Sequence, residues 1–123
     1  MKKVLVIEKD TVTARRMSAL WEAAGYEAHS STDLTRAAFE ACQWQPDLIT
    51  LDMDGLEAEG REVLLQLQSR PQTSRTPVVL FSHKQKTAIP EALRLGVRTV
   101  VDKSIRFDQL LEQAPRFSSA RNP

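Results

Sequence analysis

The segment "PDLITLD", residues 46–52, decides how the rest of the chain is read. Leu48, Ile49, Thr50 and Leu51 run on without polar alternation and end on a carboxylate, Asp52. Such a run suits a strand buried on both faces, the condition of a parallel sheet covered by helices. Three further runs have the same character: "VLVI" at 4–7, "PVVLF" at 77–81 and "RTVV" at 98–101. "YEAHS" at 26–30 is a weaker fifth.

Helical patterns fill the intervals. Residues 11–24 place Ala14, Met17, Leu20, Trp21 and Ala24 at spacings of three and four, with Gly25 as a stop. Residues 33–43 begin on Asp33, a good N-cap, and set Leu34, Ala38, Ala41 and Cys42 on one side. Residues 58–69 offer Val63, Leu64 and Leu67 to a core. Residues 90–95 have Pro90 at a first helical position and end before Gly96. Residues 106–114 carry Phe107, Leu110, Leu111 and Ala114, and Pro115 should stop or kink the run. The order is thus β-α five times over. Short, right-handed crossovers then give an α/β, flavodoxin-like, doubly wound five-stranded parallel sheet of order 2-1-3-4-5 with five helices.

The bulk numbers agree. The 123 residues suffice for one domain with a real core. Hydrophobic residues make up 41% and charged residues 27%, as in ordinary globular chains. Seventeen Lys and Arg against sixteen Asp and Glu leave a net charge of +1, which argues against a nucleic-acid surface. The single cysteine, Cys42, excludes an internal disulfide and is expected to be a small buried hydrophobe. "MKK" leads straight into "VLVIE", too short an apolar core for a signal peptide, and no run approaches the ~20 residues of a membrane span. A cytoplasmic domain over 1–114 is expected, with 115–123 as a tail or linker stub.

In such a sheet ligands gather at the carboxyl ends of the strands, near the switch point between strands 1 and 3. Strand 1 delivers Glu8, Lys9 and Asp10; strand 3 delivers Asp52 and then Asp54; strand 4 delivers Ser82 and His83; strand 5 delivers Asp102 and Lys103. Scattered surface charge would not sort itself to one end of a sheet. Carboxylates with a hydroxyl and a lysine suit phosphoryl chemistry: an Asp can form an acyl phosphate, and lysine and hydroxyl can hold phosphoryl oxygens. Mg²⁺ normally offsets the charge there.

At these residues the chain resembles a response-regulator receiver (CheY-like) domain over about 1–114. The resemblance makes Asp52 of "PDLITLD" the phosphoacceptor position, and Gly60 matches the glycine eight residues later. Ser82 of "TPVVLFS" takes the switch Ser/Thr position, and Lys103 of "DKS" the phosphate-binding lysine, with Ser104 in place of proline. It implies two-component phosphorelay signalling by a domain that is not itself an enzyme.

The departures are specific. The family usually has two adjacent acids after strand 1; Glu8 fills the first position and Lys9 the second, which the resemblance makes a direct metal ligand. An ammonium cannot ligate a cation, and at 4 Å two unit charges repel by roughly 4 kcal/mol at an effective dielectric near 20. Lys9 is therefore expected inside the acidic pocket, in salt-bridge reach of Asp52, with no metal bound. Any metal that did bind would use Glu8, Asp52 and Asp54, or a substitute ligand from Asp10. Val100 stands where Tyr or Phe often switches, and Pro90 should leave 84–89 as loop.

Two readings of different class follow. In one the domain is an atypical pseudo-receiver, a protein-interaction module that binds a signalling partner through helix 4, strand 5 and helix 5 without phosphorylation. In the other it is a working Asp52 phosphoacceptor switched by a histidine kinase with Mg²⁺ as cofactor. Neither involves nucleic acid or membrane. A nucleotide-binding domain would need a glycine-rich turn after strand 1, and "EKDTVTARR" has none. His29 and His83 lack metal-ligand spacing, Trp21 should pack the first helix on the sheet, and Trp44 is either a lid on the second helix or an exposed contact.

Overall fold

The structure, a computed structural model, describes residues 2–52, 57–82, 93–102 and 107–119. Its elements are β1 (Lys3–Ile7), α1 (Thr11–Ala23), β2 (Glu27–Ser31), α2 (Leu34–Trp44), β3 (Leu48–Asp52), α3 (Glu57–Ser69), β4 (Val78–Ser82), β5 (Thr99–Asp102) and α4 (Phe107–Ser119). All strand pairs are parallel, and the sheet order is β2-β1-β3-β4-β5. This is the expected α/β arrangement. Here α4 is the fifth helix of the expected order. Of the helix expected over 90–95, Leu93 and Arg94 are helical. Its start, and the loop expected over 84–89, lie outside the described residues.

The lack of alternation in the strand runs has a direct physical cause: both faces are buried. Leu5, Ile7, Ile49, Leu51, Val78 and Leu80 point to one face, where Leu34, Ala38, Val63, Leu64 and Leu67 of α2 and α3 cover them. Val4, Val6, Leu48, Val79 and Val101 point to the other, against Trp21 of α1 and Leu110 and Ala114 of α4. Because side chains alternate along a strand, Glu8 and Asp52 continue the second series and project on the α1/α4 side. Trp21 is fully buried, as expected, and meets Tyr26 and Phe107 edge-on at ring distances of 4.9 and 5.1 Å.

The helix ends follow their cap chemistry. Asp33 caps α2 by accepting from the Thr35 N–H at 3.0 Å. Asp10 does the same for α1, accepting from the Thr13 N–H at 2.9 Å and from the Thr13 hydroxyl. Gly25 follows α1 with φ of +96°, a conformation open to glycine at little cost. Trp44 closes α2 partly buried, stacked on His29 at 4.1 Å with the Lys3 ammonium 5.1 Å from its ring centre. Thus Trp44 is a lid, and His29 is its stacking partner.

Three local expectations are corrected. Pro115 does not stop the last helix, which runs on to Ser119. An exposed proline near a helix end costs one backbone bond, while the stripe ending at Ala114 holds the turn before it on the sheet. Cys42 is half-buried rather than fully buried. Ala24 is the exposed C-cap of α1, and Leu20 is 38% exposed, so the buried stripe of α1 is narrower than its spacing suggests.

Leu51 is fully buried at the centre of the sheet. Leu51→Ala should therefore cost about 2–5 kcal/mol in denaturant unfolding, and a loss under about 1 kcal/mol would contradict this core assignment. The Asp10 and Asp33 carboxyls are held below the ordinary carboxylate range, first by the Thr13 and Thr35 side chains and then by their N–H groups. A carboxylate whose folded pKa lies below its unfolded value stabilises above the unfolded pKa, and loses that contribution as pH falls through the folded value. Melting temperature should thus fall less steeply on acidification in Asp33→Ala than in the wild type; parallel curves would refute the linkage.

Candidate functional site

β1 and β3 are neighbours with Ile7 opposite Leu51, so the next step along each strand brings Glu8 and Asp52 to the same end of the sheet. The sequence thereby places two carboxylates side by side through strand register alone. Both line one cavity of about 380 Å³ between α1 and α4, together with Thr13 and Thr50 and apolar side chains. Glu8 is 8% exposed; its N–H donates to the Ser31 carbonyl at 3.0 Å, and Oε2 accepts from the Asp10 N–H at 3.4 Å. Asp52 is half-buried. On the neighbouring strands, Ser82 ends β4 opposite Asp102 of β5, one step beyond the Asp52–Phe81 pair. Glu8, Asp52, Ser82 and Asp102 therefore come from four strands to one edge, as expected. Asp54, His83, Lys103 and Ser104 lie outside the described residues.

Lys9 is not where the sequence suggests. It is 60% exposed, and its ammonium sits 3.9 Å from Glu59 of α3 instead of in the pocket beside Asp52. The physical reason is solvation. A lysine with a flexible stem and a strongly hydrated head gains more by reaching water and an exposed carboxylate than by entering a cavity with apolar walls. Asp10 is likewise not a pocket ligand, since its carboxylate is engaged in capping α1 at the exposed side. The capping signal was present in the sequence: an Asp one residue before the helix, with Thr13 in position to donate back.

These displacements change the chemistry of the pocket. The repulsion expected from a buried ammonium is largely screened when that ammonium is in water. Position 9 itself brings no carboxylate to the pocket. Glu8 and Asp52 are hard oxygen donors of the kind Mg²⁺ uses, and Mg²⁺ is commonly held by one or two carboxylates, with water and phosphate oxygens completing the octahedron. The two carboxylates fit such an ion, with one fewer side-chain ligand than an acid at position 9 would give. Among the described residues, no cluster of three or more His, Cys, Asp or Glu is grouped as a metal site. Val100, at the expected aromatic switch position, is half-buried opposite Leu80 and packs into the α2/α3-side core. None of the described helices is long and apolar enough to cross a membrane.

Comparison with known proteins gives these residues their context. Residues 4–114 match the family model for the response regulator receiver domain. The chain is 27% identical to the regulatory protein AtoC of Escherichia coli over 112 residues, covering 89% of this chain and 24% of AtoC. It is 26% identical to the polar-differentiation response regulator DivK of Brucella anthropi, covering 90% and 91% of the two chains. The chain thus spans about a quarter of AtoC and, in the matched transcriptional regulator RpaA of Synechocystis, 34%. Among solved structures, the receiver domain of the sensor histidine kinase PA1611 from Pseudomonas aeruginosa, which has magnesium coordinated in its active-site cleft, superposes with a TM-score of 0.84 at 18% identity, covering 96% and 98%. A sensor protein from Polaromonas gives 0.86 at 18% identity, covering 98% of each chain. At this identity the superpositions speak to the fold, and with the family match over nearly the whole chain they lead to one conclusion: the chain belongs to the response regulator receiver domain family of two-component signalling.

Proposed function

We propose that this domain is an atypical receiver, with an impaired Mg²⁺ site, that acts as a phosphorylation-independent protein-interaction module over 1–114. The observation that carries this reading is Lys9. It takes the place of the second acid, and its ammonium pairs outward with Glu59, leaving Glu8 and Asp52 as the described carboxylates of the pocket. A bound Mg²⁺ would offset the charge of an incoming phosphoryl group, and Glu8 and Asp52, with Asp54, are the residues that would hold it. With one ligand fewer, these residues would hold such an ion more weakly, and its help to phosphoryl transfer at Asp52 would be reduced.

The responding end is altered as well. Val100 packs in the core and has no ring to swing between buried and exposed positions. A modification moves an equilibrium only as far as the two states differ in their interaction with it. The proposed partner surface comprises the helix before β5, β5 itself and α4, in a cytoplasmic signalling protein. Arg94, Arg98 and Gln109 are exposed there and free to define partner specificity.

A second reading retains a specific support. Asp52 lines an open cavity beside Glu8, and the Lys9 ammonium does not plug it. In that reading Asp52 is a working phosphoacceptor served by a histidine kinase, Ser82 and Lys103 hold the phosphoryl group, and Mg²⁺ is the cofactor.

Asp52→Ala should leave partner binding and cellular function within about twofold of wild type, a difference under ~0.5 kcal/mol, while Arg98→Glu should reduce binding by tenfold or more (~1.4 kcal/mol). Loss of function in a folded Asp52→Ala protein would replace the proposed reading with the second. Lys9→Asp should tighten Mg²⁺ binding by tenfold or more in a calorimetric titration (~1.4 kcal/mol). The same change should move stability by no more than about 1 kcal/mol, because the Lys9–Glu59 pair is exposed. An unchanged metal affinity would show that the lysine is not what weakens the site.

A further inference from the structure

β2 is an end strand: β1 pairs with one side of it, and among the described residues no strand pairs with the other. Two contacts at its ends fix its hydrogen-bonding plan. The Glu27 N–H donates to the Lys2 carbonyl at 2.9 Å, and the Ser31 carbonyl accepts from the Glu8 N–H at 3.0 Å. Backbone groups alternate in direction along a parallel ladder. Glu27, His29 and Ser31 therefore bond inward to β1, and Ala28 and Ser30 turn their N–H and C=O groups outward. End strands are normally guarded by lysine, proline, a bulge or a covering element. β2 reads "EAHSS", and its register with β1 runs unbroken from Lys3–Glu27 to Ile7–Ser31, so the first three guards are missing. The fourth is missing too. A groove of about 480 Å³ lies along the edge, lined by Arg15, Ser18 and Glu22 of α1 with Ala28, His29 and Ser30 of β2.

We propose that β2 pairs antiparallel with β2 of a second copy of this chain, joining two sheets into one about a two-fold axis at His29. The outward groups are self-complementary about that axis, as a two-fold interface requires. Ala28 of one copy stands opposite Ser30 of the other, and each such pair exchanges both of its N–H and C=O bonds. His29 faces its own equivalent at the non-hydrogen-bonded position between them, which is the alternation of an antiparallel ladder. The side chains allow this approach. Ala28 packs on the α1 side, Ser30 follows it there by alternation, and both are small. On the opposite side His29 is stacked on Trp44 at 4.1 Å, and Glu27 of one copy lies diagonal to His29 of the second. Charge fits the same axis. Arg15, Ser18, Ala19 and Glu22 share one flank of α1, with exposed Arg15 and Glu22 about 10 Å apart along the helix. The two-fold sets the two α1 helices antiparallel on one face of the joined sheet. Arg15 of each copy then meets Glu22 of the other across the small Ser18 and Ala19. An unrelated strand would meet the same backbone groups; the second copy adds the charge match. This edge uses neither Asp52 nor the face of β5 and α4.

The test is sedimentation velocity of the whole chain at pH 7.5 across a wide concentration range, with no phosphodonor or other protein present. A reversible dimer should form with Kd on the order of 100 μM or tighter. Ser30→Pro deletes an outward N–H, a change an edge strand tolerates, and should weaken the dimer tenfold or more. Circular dichroism checks its folding, and Ser30→Lys, a natural edge guard, replaces it if the proline is not accommodated. Arg15→Glu sets like charges against each other and should weaken the dimer severalfold. Adding Glu22→Arg in the same chain should bring it back to near wild-type affinity. A chain that stays monomeric throughout would overturn the proposal and leave the edge to an extended segment of another protein. A dimer unchanged in the folded Ser30 variant, or a charge swap that restores nothing, would overturn it as well. Because Asp52 and phosphate take no part, these outcomes are independent of the proposed function.

Discussion

Burial of the sheet on both faces is the constraint from which the rest of the molecule follows. A strand covered on two sides has little place for charge along its length, so the first carboxylates of β1 and β3 appear where those strands leave the core. Five parallel strands leave at the same end. β1 and β3 are adjacent and in register at Ile7 and Leu51, so their first carboxylates, Glu8 and Asp52, meet without any contact having to be designed for that purpose. Side-chain alternation then decides that both face α1 and α4 rather than α2 and α3. The acidic pocket is thus a consequence of topology, register and the period of two along a strand.

The same geometry explains why a lysine at position 9 is compatible with the fold. One residue beyond Glu8, the chain has turned outward, and Lys9 stands at the surface within reach of α3. Replacing an acid there removes a potential ligand while adding an exposed ion pair worth little. Stability and metal affinity are therefore separable at this site. The core on either face does not depend on what Lys9 does.

Much of this was legible in the sequence because buried strands and amphipathic helices have strong, local signals. "VLVI" and "LITL" announced β1 and β3, Asp33 announced the start of α2, and Val63, Leu64 and Leu67 announced the buried side of α3. The signals that failed were those where two local rules compete or where a distant residue decides. Asp10 reads equally as a strand-end acid and as a helix cap, and the Thr13 contacts resolve it as a cap. The direction of Lys9 depends on Glu59, fifty residues away on another helix, and on solvation of its head, neither of which a strand-end motif encodes. The helix-breaking rule at Pro115 predicts a stop or a kink, whereas α4 continues through it to Ser119. The cavity beside Leu20 was invisible because an i, i+3, i+4 pattern marks a face of a helix but not how much of that face its neighbours cover.

The atypical reading turns on whether Lys9, standing outside the pocket of Glu8 and Asp52, leaves that pair unable to support phosphoryl transfer. The most direct measurement is the intact mass of the purified chain after incubation with millimolar Mg²⁺ and a small phosphodonor, beside a Lys9→Asp chain treated identically. The account predicts little or no phosphoryl adduct on the wild type and a clear adduct, mapping to Asp52, on Lys9→Asp. Rapid, stoichiometric phosphorylation of the wild-type Asp52 would contradict it.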